Sequence, residues 1–156
     1  MNMKTFKLLF LSALLGSLIL SSCSKDCDIF NKVASRKGLP VNGLQEVPVR
    51  ITKAYGHMDV SYNKKTKVLT YEVTWSLLTG NPIGSHIHGE APQGVNAAIK
   101  HDFTSLIPKA ISGSFKNSVV VDEIAIKEAG LLAGLYYVNI HTPTFPGGEI
   151  RGQIEF

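Results

Sequence analysis

Cysteine is scarce: the chain has two, Cys23 and Cys27, both near its head. Nothing after residue 27 can form a disulfide, so the folded part must be held by packing and hydrogen bonds alone. After residue 20 no second long apolar run appears. Later segments are therefore not predicted to span a bilayer, which takes about 20 apolar residues. A Gly-x-Ser-x-Gly elbow is missing, which removes that route to a serine nucleophile. A phosphate-cradling glycine loop is missing as well. The net charge of +4 is modest, and Lys4 and Lys7 of the leading segment account for part of it. No polybasic stripe interleaved with aromatics occurs, which argues against a nucleic-acid partner. Turn residues recur without a fixed period, which excludes a solenoid.

The first segment is informative. Lys4 and Lys7 precede an apolar run from Leu8 to Leu20, interrupted by Ser12, Gly16 and Ser17. This is the layout of an export signal. It ends in Leu20-Ser21-Ser22-Cys23, which resembles the lipobox of bacterial lipoproteins. That resemblance implies a signal peptide over residues 1–22, removed before Cys23, with the Cys23 thiol acylated. The competing reading is an uncleaved membrane anchor, for which the run is short. Each buried methylene contributes about 0.8 kcal/mol, so several acyl chains hold a protein stably on a membrane surface. Residues 23–38 are polar and aperiodic and read as a lipidated tether. Asp26 and Asp28 resemble, loosely, the signals that send some lipoproteins to the outer cell face. The expected location is the bacterial cell envelope, at the outer membrane, with the membrane contacted through the N-terminal lipid.

From Leu39 onward, β-branched and aromatic runs alternate with Gly, Pro and Asn punctuation. Lys67–Trp75 is the clearest case. Leu69, Tyr71, Val73 and Trp75 fall on one face, and Thr70, Glu72 and Thr74 on the other, which is the period of a half-buried strand. Further strands are predicted at 56–62, 85–88, 98–103, 113–120, 135–142 and 149–156. One short helix is predicted, capped by Asp122, supported by Glu123 and Lys127 four apart, and ended by Gly134. The fold class is all-β, an antiparallel sandwich or barrel in one domain over residues 39–156.

Four stretches carry a closer likeness: Leu44-Gln45-Glu46-Val47-Pro48, Ser85-His86-Ile87-His88-Gly89, Tyr137-Val138-Asn139-Ile140-His141-Thr142, and Pro146-Gly147-Gly148-Glu149-Ile150-Arg151-Gly152-Gln153. In this order they resemble the CHRD domain, the module repeated in chordin and found singly in many bacterial proteins. The family pattern often has alanine at the place of Ser85 and a second proline at that of Val49. The resemblance implies an immunoglobulin-like β-sandwich outside the cytoplasm, and no particular reaction.

Read as chemistry, the histidines stand out. Alternate side chains of a strand share a face, so His86 and His88 lie opposite Ile87. Tyr137, Asn139 and His141 likewise lie opposite Val138 and Ile140. If the two strands are neighbours, His86, His88 and His141 converge on the side away from the core. Three imidazoles suit zinc or copper, and His101 is a candidate fourth ligand. His-x-His on a strand also resembles the copper strand of copper,zinc superoxide dismutase, which would extend the site to redox chemistry. The zinc loop and disulfide of that enzyme have no counterpart here. Solvent-facing imidazoles titrate near 6.5, so metal binding should weaken below about pH 6. The competing reading leaves the histidines as structural hydrogen-bonders.

Asn139, Glu149 and Arg151 read as a structural polar cluster, with Glu149 and Arg151 on one face of the last strand and able to pair. No nucleophile or acid partner of Glu149 is evident, so no catalytic residue is assigned. The preferred reading is a non-catalytic binding or structural module with an envelope protein or polysaccharide as partner. The alternative is a copper- or zinc-binding protein.

Overall fold

The alternation in the sequence becomes a sheet. In the computed structural model, which describes residues 32–156, eight strands form one antiparallel sheet. They are β1 (Val33–Asn42), β2 (Tyr55–Asn63), β3 (Val68–Ser76), β4 (Gly84–Gly89), β5 (Ile99–Asp102), β6 (Gly113–Val120), β7 (Tyr136–His141) and β8 (Ile150–Ile154). The spatial order is β5-β4-β7-β8-β1-β2-β3-β6. The segment expected to be an export signal, Cys23, Cys27 and most of the expected tether lie outside the described residues. Among the described residues no helix is long and apolar enough to cross a membrane.

Two four-strand halves meet at a narrow seam, where the register joins β1 to β8 only through Asn42 opposite Arg151. At the far ends the sheet nearly closes. Phe103, just after β5, packs its ring 5.4 Å from Tyr71 of β3 and stacks 5.6 Å from Phe115 of β6. In β3 the inward set is the predicted one: Leu69, Tyr71, Val73 and Trp75 are buried. Met58, Val60 and Tyr62 of β2 join them, as do Ile87, Val138, Ile140, Ile150 and Ile154 from the other half. Each such side chain taken from water contributes about 1.5–3 kcal/mol. The β2–β3 hairpin turns at Asn63, whose side chain accepts from the N–H groups of Lys65 and Thr66.

Two elements differ from the sequence reading. Residues 33–38, expected in the tether, belong to β1 and pair with β2 from Val33 opposite Asn63 to Arg36 opposite Val60. Ser35, Arg36, Lys37 and Gly38 are all exposed, so this stretch carries no apolar period to betray it. A register shift follows between Arg36 and Leu39, where Gly38 adopts φ +68° and donates to Asp59. The helix also starts later than expected. Asp122 accepts from the N–H groups of Ile124, Ala125 and Ile126, which closes a turn, and α1 spans only Glu128–Leu132. Glu123 stands at φ +61°, so the chain cannot run on helically from Asp122. Lys127 pairs with Glu90 rather than Glu123, and Gly134 at φ +70° ends the helix region as predicted.

Candidate metal centre

Strands β4 and β7 are hydrogen-bonded neighbours, and their register assembles the histidines. Gly84 faces His141, His86 faces Asn139, and His88 faces Tyr137. One ring nitrogen each from His86, His88 and His141 lies within 4.8 Å of the other two. His86 Nδ1 is 3.0 Å from His141 Nε2. Asn139 Oδ1 sits between the other pair, 3.1 Å from His88 Nε2 and 3.0 Å from His141 Nε2. Tetrahedral zinc with nitrogens at about 2.0–2.1 Å would space them about 3.3 Å apart, within the range these atoms span. Gly84 makes room: a Cβ there would lie 3.1 Å from His86 Cε1 and 3.2 Å from His141 Cδ2.

The outward nitrogens are pinned. His88 Nδ1 donates to the Ala97 carbonyl at 2.9 Å, and His141 Nδ1 donates to the Pro146 carbonyl at 2.9 Å. A carbonyl only accepts, so both rings carry their proton on Nδ1 and turn a bare Nε2 inward. His86 Nε2 points outward to Thr104 Oγ1 at 3.4 Å and Asp102 Oδ1 at 3.8 Å. Metal-bound histidines are held in this way, with the second nitrogen on a carbonyl or carboxylate.

The face is opposite the core, as the period predicted, but it is only partly open to solvent: His88 is buried, and His86 and His141 are half-buried. The 95–97 loop covers His88 and the 142–148 loop covers His141. Burial, followed by the charge of His141, pushes the His86 imidazole down to about 4. Burial also lowers His88 and His141. Proton competition therefore sets in at more acid pH than freely solvated rings would suggest. A depression lined by Ile83, His86, Asp102, Thr104, His141 and Pro146 opens onto the site from outside.

His101 does not join the cluster. It pairs with Ile87 in the register, on the opposite face, with its ring 6.4 Å from Tyr71 and 6.1 Å from Phe103. His57 lies on β2, away from the site. Glu149 and Arg151 are both fully buried and do not pair with each other. Glu149 accepts from Thr52 Oγ1, Thr79 N and Oγ1, and Thr142 Oγ1. Arg151 lays its guanidinium 3.3 Å from the Tyr137 ring centre and donates to the Val95 carbonyl at 2.9 Å. Tyr137 stacks on His88 at 4.9 Å, and its hydroxyl accepts from the Ala97 N–H. Arg151 and Tyr137 thus fix the loop that fixes His88.

Glu46 also borders the cluster, though its sequence context assigns it no site role. It is 3 % exposed, and burial pushes its carboxyl up to about 7, opposed by Arg151, Arg50 and a side-chain hydrogen bond from Asn139. Gly148 packs against it so closely that any side chain there would strike the carboxylate. The signal available in sequence was the one acid inside Leu44-Gln45-Glu46-Val47-Pro48, a motif far along the chain from His86, His88 and His141.

The CHRD domain family model matches residues 39–154. No curated protein and no solved structure matches the chain. The chain belongs to the CHRD domain family.

Proposed function

We propose that this member of the CHRD domain family is a lipid-anchored component of the bacterial envelope whose CHRD domain is a non-catalytic module binding zinc or copper. The ligands are His86, His88 and His141. The supporting observation is the constellation itself: three imidazoles on adjacent strands, two of them with tautomers set by backbone carbonyls, turning ligand atoms toward one point. The immunoglobulin-like sandwich of the resemblance is the layering we propose for the two sheet halves, supported by their single-pair seam. The anchor is supported by Leu20-Ser21-Ser22-Cys23, and the outer membrane is its proposed location.

Calorimetric titration of tag-free protein with zinc and copper(II) tests the metal. Replacing His86, His88 or His141 by Ala should weaken binding by at least tenfold, while His57→Ala and His101→Ala should leave it unchanged. Binding no tighter than that of the triple alanine variant would reduce the histidines to hydrogen-bonders. The module would then be left to recognise an envelope protein or polysaccharide. For the anchor, the mature protein should partition into detergent and carry acyl mass, and Cys23→Ala should accumulate as precursor. Partition into water without acyl mass would remove the lipoprotein reading.

A further inference from the structure

We infer that Asn139 supplies the fourth ligand through Oδ1, making a closed site of three nitrogens and one oxygen. This rests on the proposed metal binding and specifies its coordination. The argument is one of lone pairs. His88 and His141 keep their protons on Nδ1, donating hydrogen bonds to the Ala97 and Pro146 carbonyls, so each neutral ring has an acceptor at Nε2. Asn139 Oδ1, also an acceptor, lies 3.1 and 3.0 Å from them.

Without a cation, acceptors face acceptors. His86 can relieve part of this by carrying its proton on Nδ1 and donating to His141 Nε2, 3.0 Å away. Nothing relieves His88 Nε2, whose partner here is Asn139 Oδ1. Moving the His88 proton to Nε2 would only transfer the conflict to the Ala97 carbonyl.

Turning the amide would aim Nδ2 at the imidazoles, but it would then aim Oδ1 at Glu46. Asn139 presents Oδ1 to the imidazoles, 3.1 Å from His88 Nε2 and 3.0 Å from His141 Nε2, and Glu46 Oε1 on its other side keeps no hydrogen-bond partner. With Oδ1 on the histidine side, the amide leaves Nδ2, a donor, for the side of Glu46. A cation at the centre satisfies all four lone pairs at once. Four protein donors are the pattern of structural rather than catalytic zinc sites, which keep a position open. Such a metal ties β4 to β7 and leaves no place for a small-molecule substrate.

Cobalt(II) is the probe, loaded into the full chain in detergent and in a Cys27→Ser background so that no thiolate competes. Its visible bands report coordination number, and azide reports an open position. The wild-type spectrum should be that of a four-coordinate ion and should not change with millimolar azide. Asn139→Ala should bind cobalt at least tenfold more weakly, and its bands should shift with azide. Asn139→Asp retains an oxygen and should stay insensitive to azide with affinity at least equal to wild type. Should Asn139→Ala fail to fold, the wild-type and Asp results decide alone. Azide binding to the wild-type complex would refute the fourth ligand while leaving the three-histidine site standing. Failure of the wild type to bind cobalt or zinc would refute both.

Discussion

Removing the Glu149 carboxylate should unfold the domain more than any change on its surface. Glu149 is fully buried at the entrance to β8, and its oxygens accept from four donors. The bonds are Thr52 Oγ1 at 2.7 Å, Thr142 Oγ1 at 2.7 Å, Thr79 Oγ1 at 2.8 Å, and the Thr79 N–H shared between both oxygens at 3.1 and 3.2 Å. These contacts fasten the loops before β2 and before β4 to the corner between β7 and β8. Bonds to a charged acceptor contribute about 1.5–3 kcal/mol each, and an orphaned buried donor costs about 1–3 kcal/mol. Hydroxyls can rotate and re-pair, as Thr79 and Thr142 can at 3.1 Å, but the Thr79 N–H cannot. In Glu149→Ala the Thr79 N–H and the Thr52 hydroxyl lose their acceptor and a cavity opens, for a total of about 4 kcal/mol. Glu149→Gln keeps the shape and one acceptor oxygen but loses charge assistance, for about 1–2 kcal/mol. Desolvation of a buried carboxylate works the other way, and a well-packed apolar replacement of a buried charge can be neutral. Here four donors converge on the group, and their number decides the sign. Urea unfolding followed through the emission of the single tryptophan, Trp75, measures both variants. A Glu149→Ala variant within 1 kcal/mol of wild type would refute the reasoning.

Two further outcomes follow from the same geometry. Metal-free protein should lose stability as pH falls from about 6.5 toward 4. The folded His86 is held down to about 4, so the unfolded chain binds more protons throughout that window. The loss approaches roughly 3 kcal/mol for His86 alone, with His88 and His141 shifted in the same direction; urea midpoints that are flat between pH 7 and 4.5 would contradict it. Trp75 is 2 % exposed and donates from Nε1 to the Ala110 carbonyl at 2.9 Å. Its emission should be blue-shifted, and Trp75→Ala should cost about 3–5 kcal/mol by thermal or urea unfolding; solvent-like emission would contradict the packing.

Period two was the strongest signal in the sequence, and it carried the fold a long way. Seven of the eight strands fall where alternation and punctuation predicted them, and β1 does not. The reason is physical: Ser35 to Gly38 are exposed and pair through backbone alone, so their side chains hold no record of the ladder. Asp122 misled for a similar reason. A carboxylate capping three N–H groups looks the same in sequence whether a helix or a single turn follows, and the positive φ of Glu123 decided for the turn.

The site was legible in the same uneven way. That His86 and His88 share a face, and that Asn139 and His141 share another, is local and follows from strand geometry. That β4 and β7 are neighbours is a property of topology, and it converts two sequence motifs into one cluster. The same periodicity, applied to β5, puts His101 with Ile87 and excludes it from the cluster, but only once the β4–β5 register is known. What no local pattern reveals is orientation. The tautomers of His88 and His141 are set by carbonyls 9 and 5 residues away in sequence, and the Asn139 amide turns its Oδ1 to rings that reach it from β4 and from β7 itself. A hydrogen-bonding cluster and a metal centre can share every residue. They differ in which atoms carry protons, and in this protein that difference is written by the loops around the histidines.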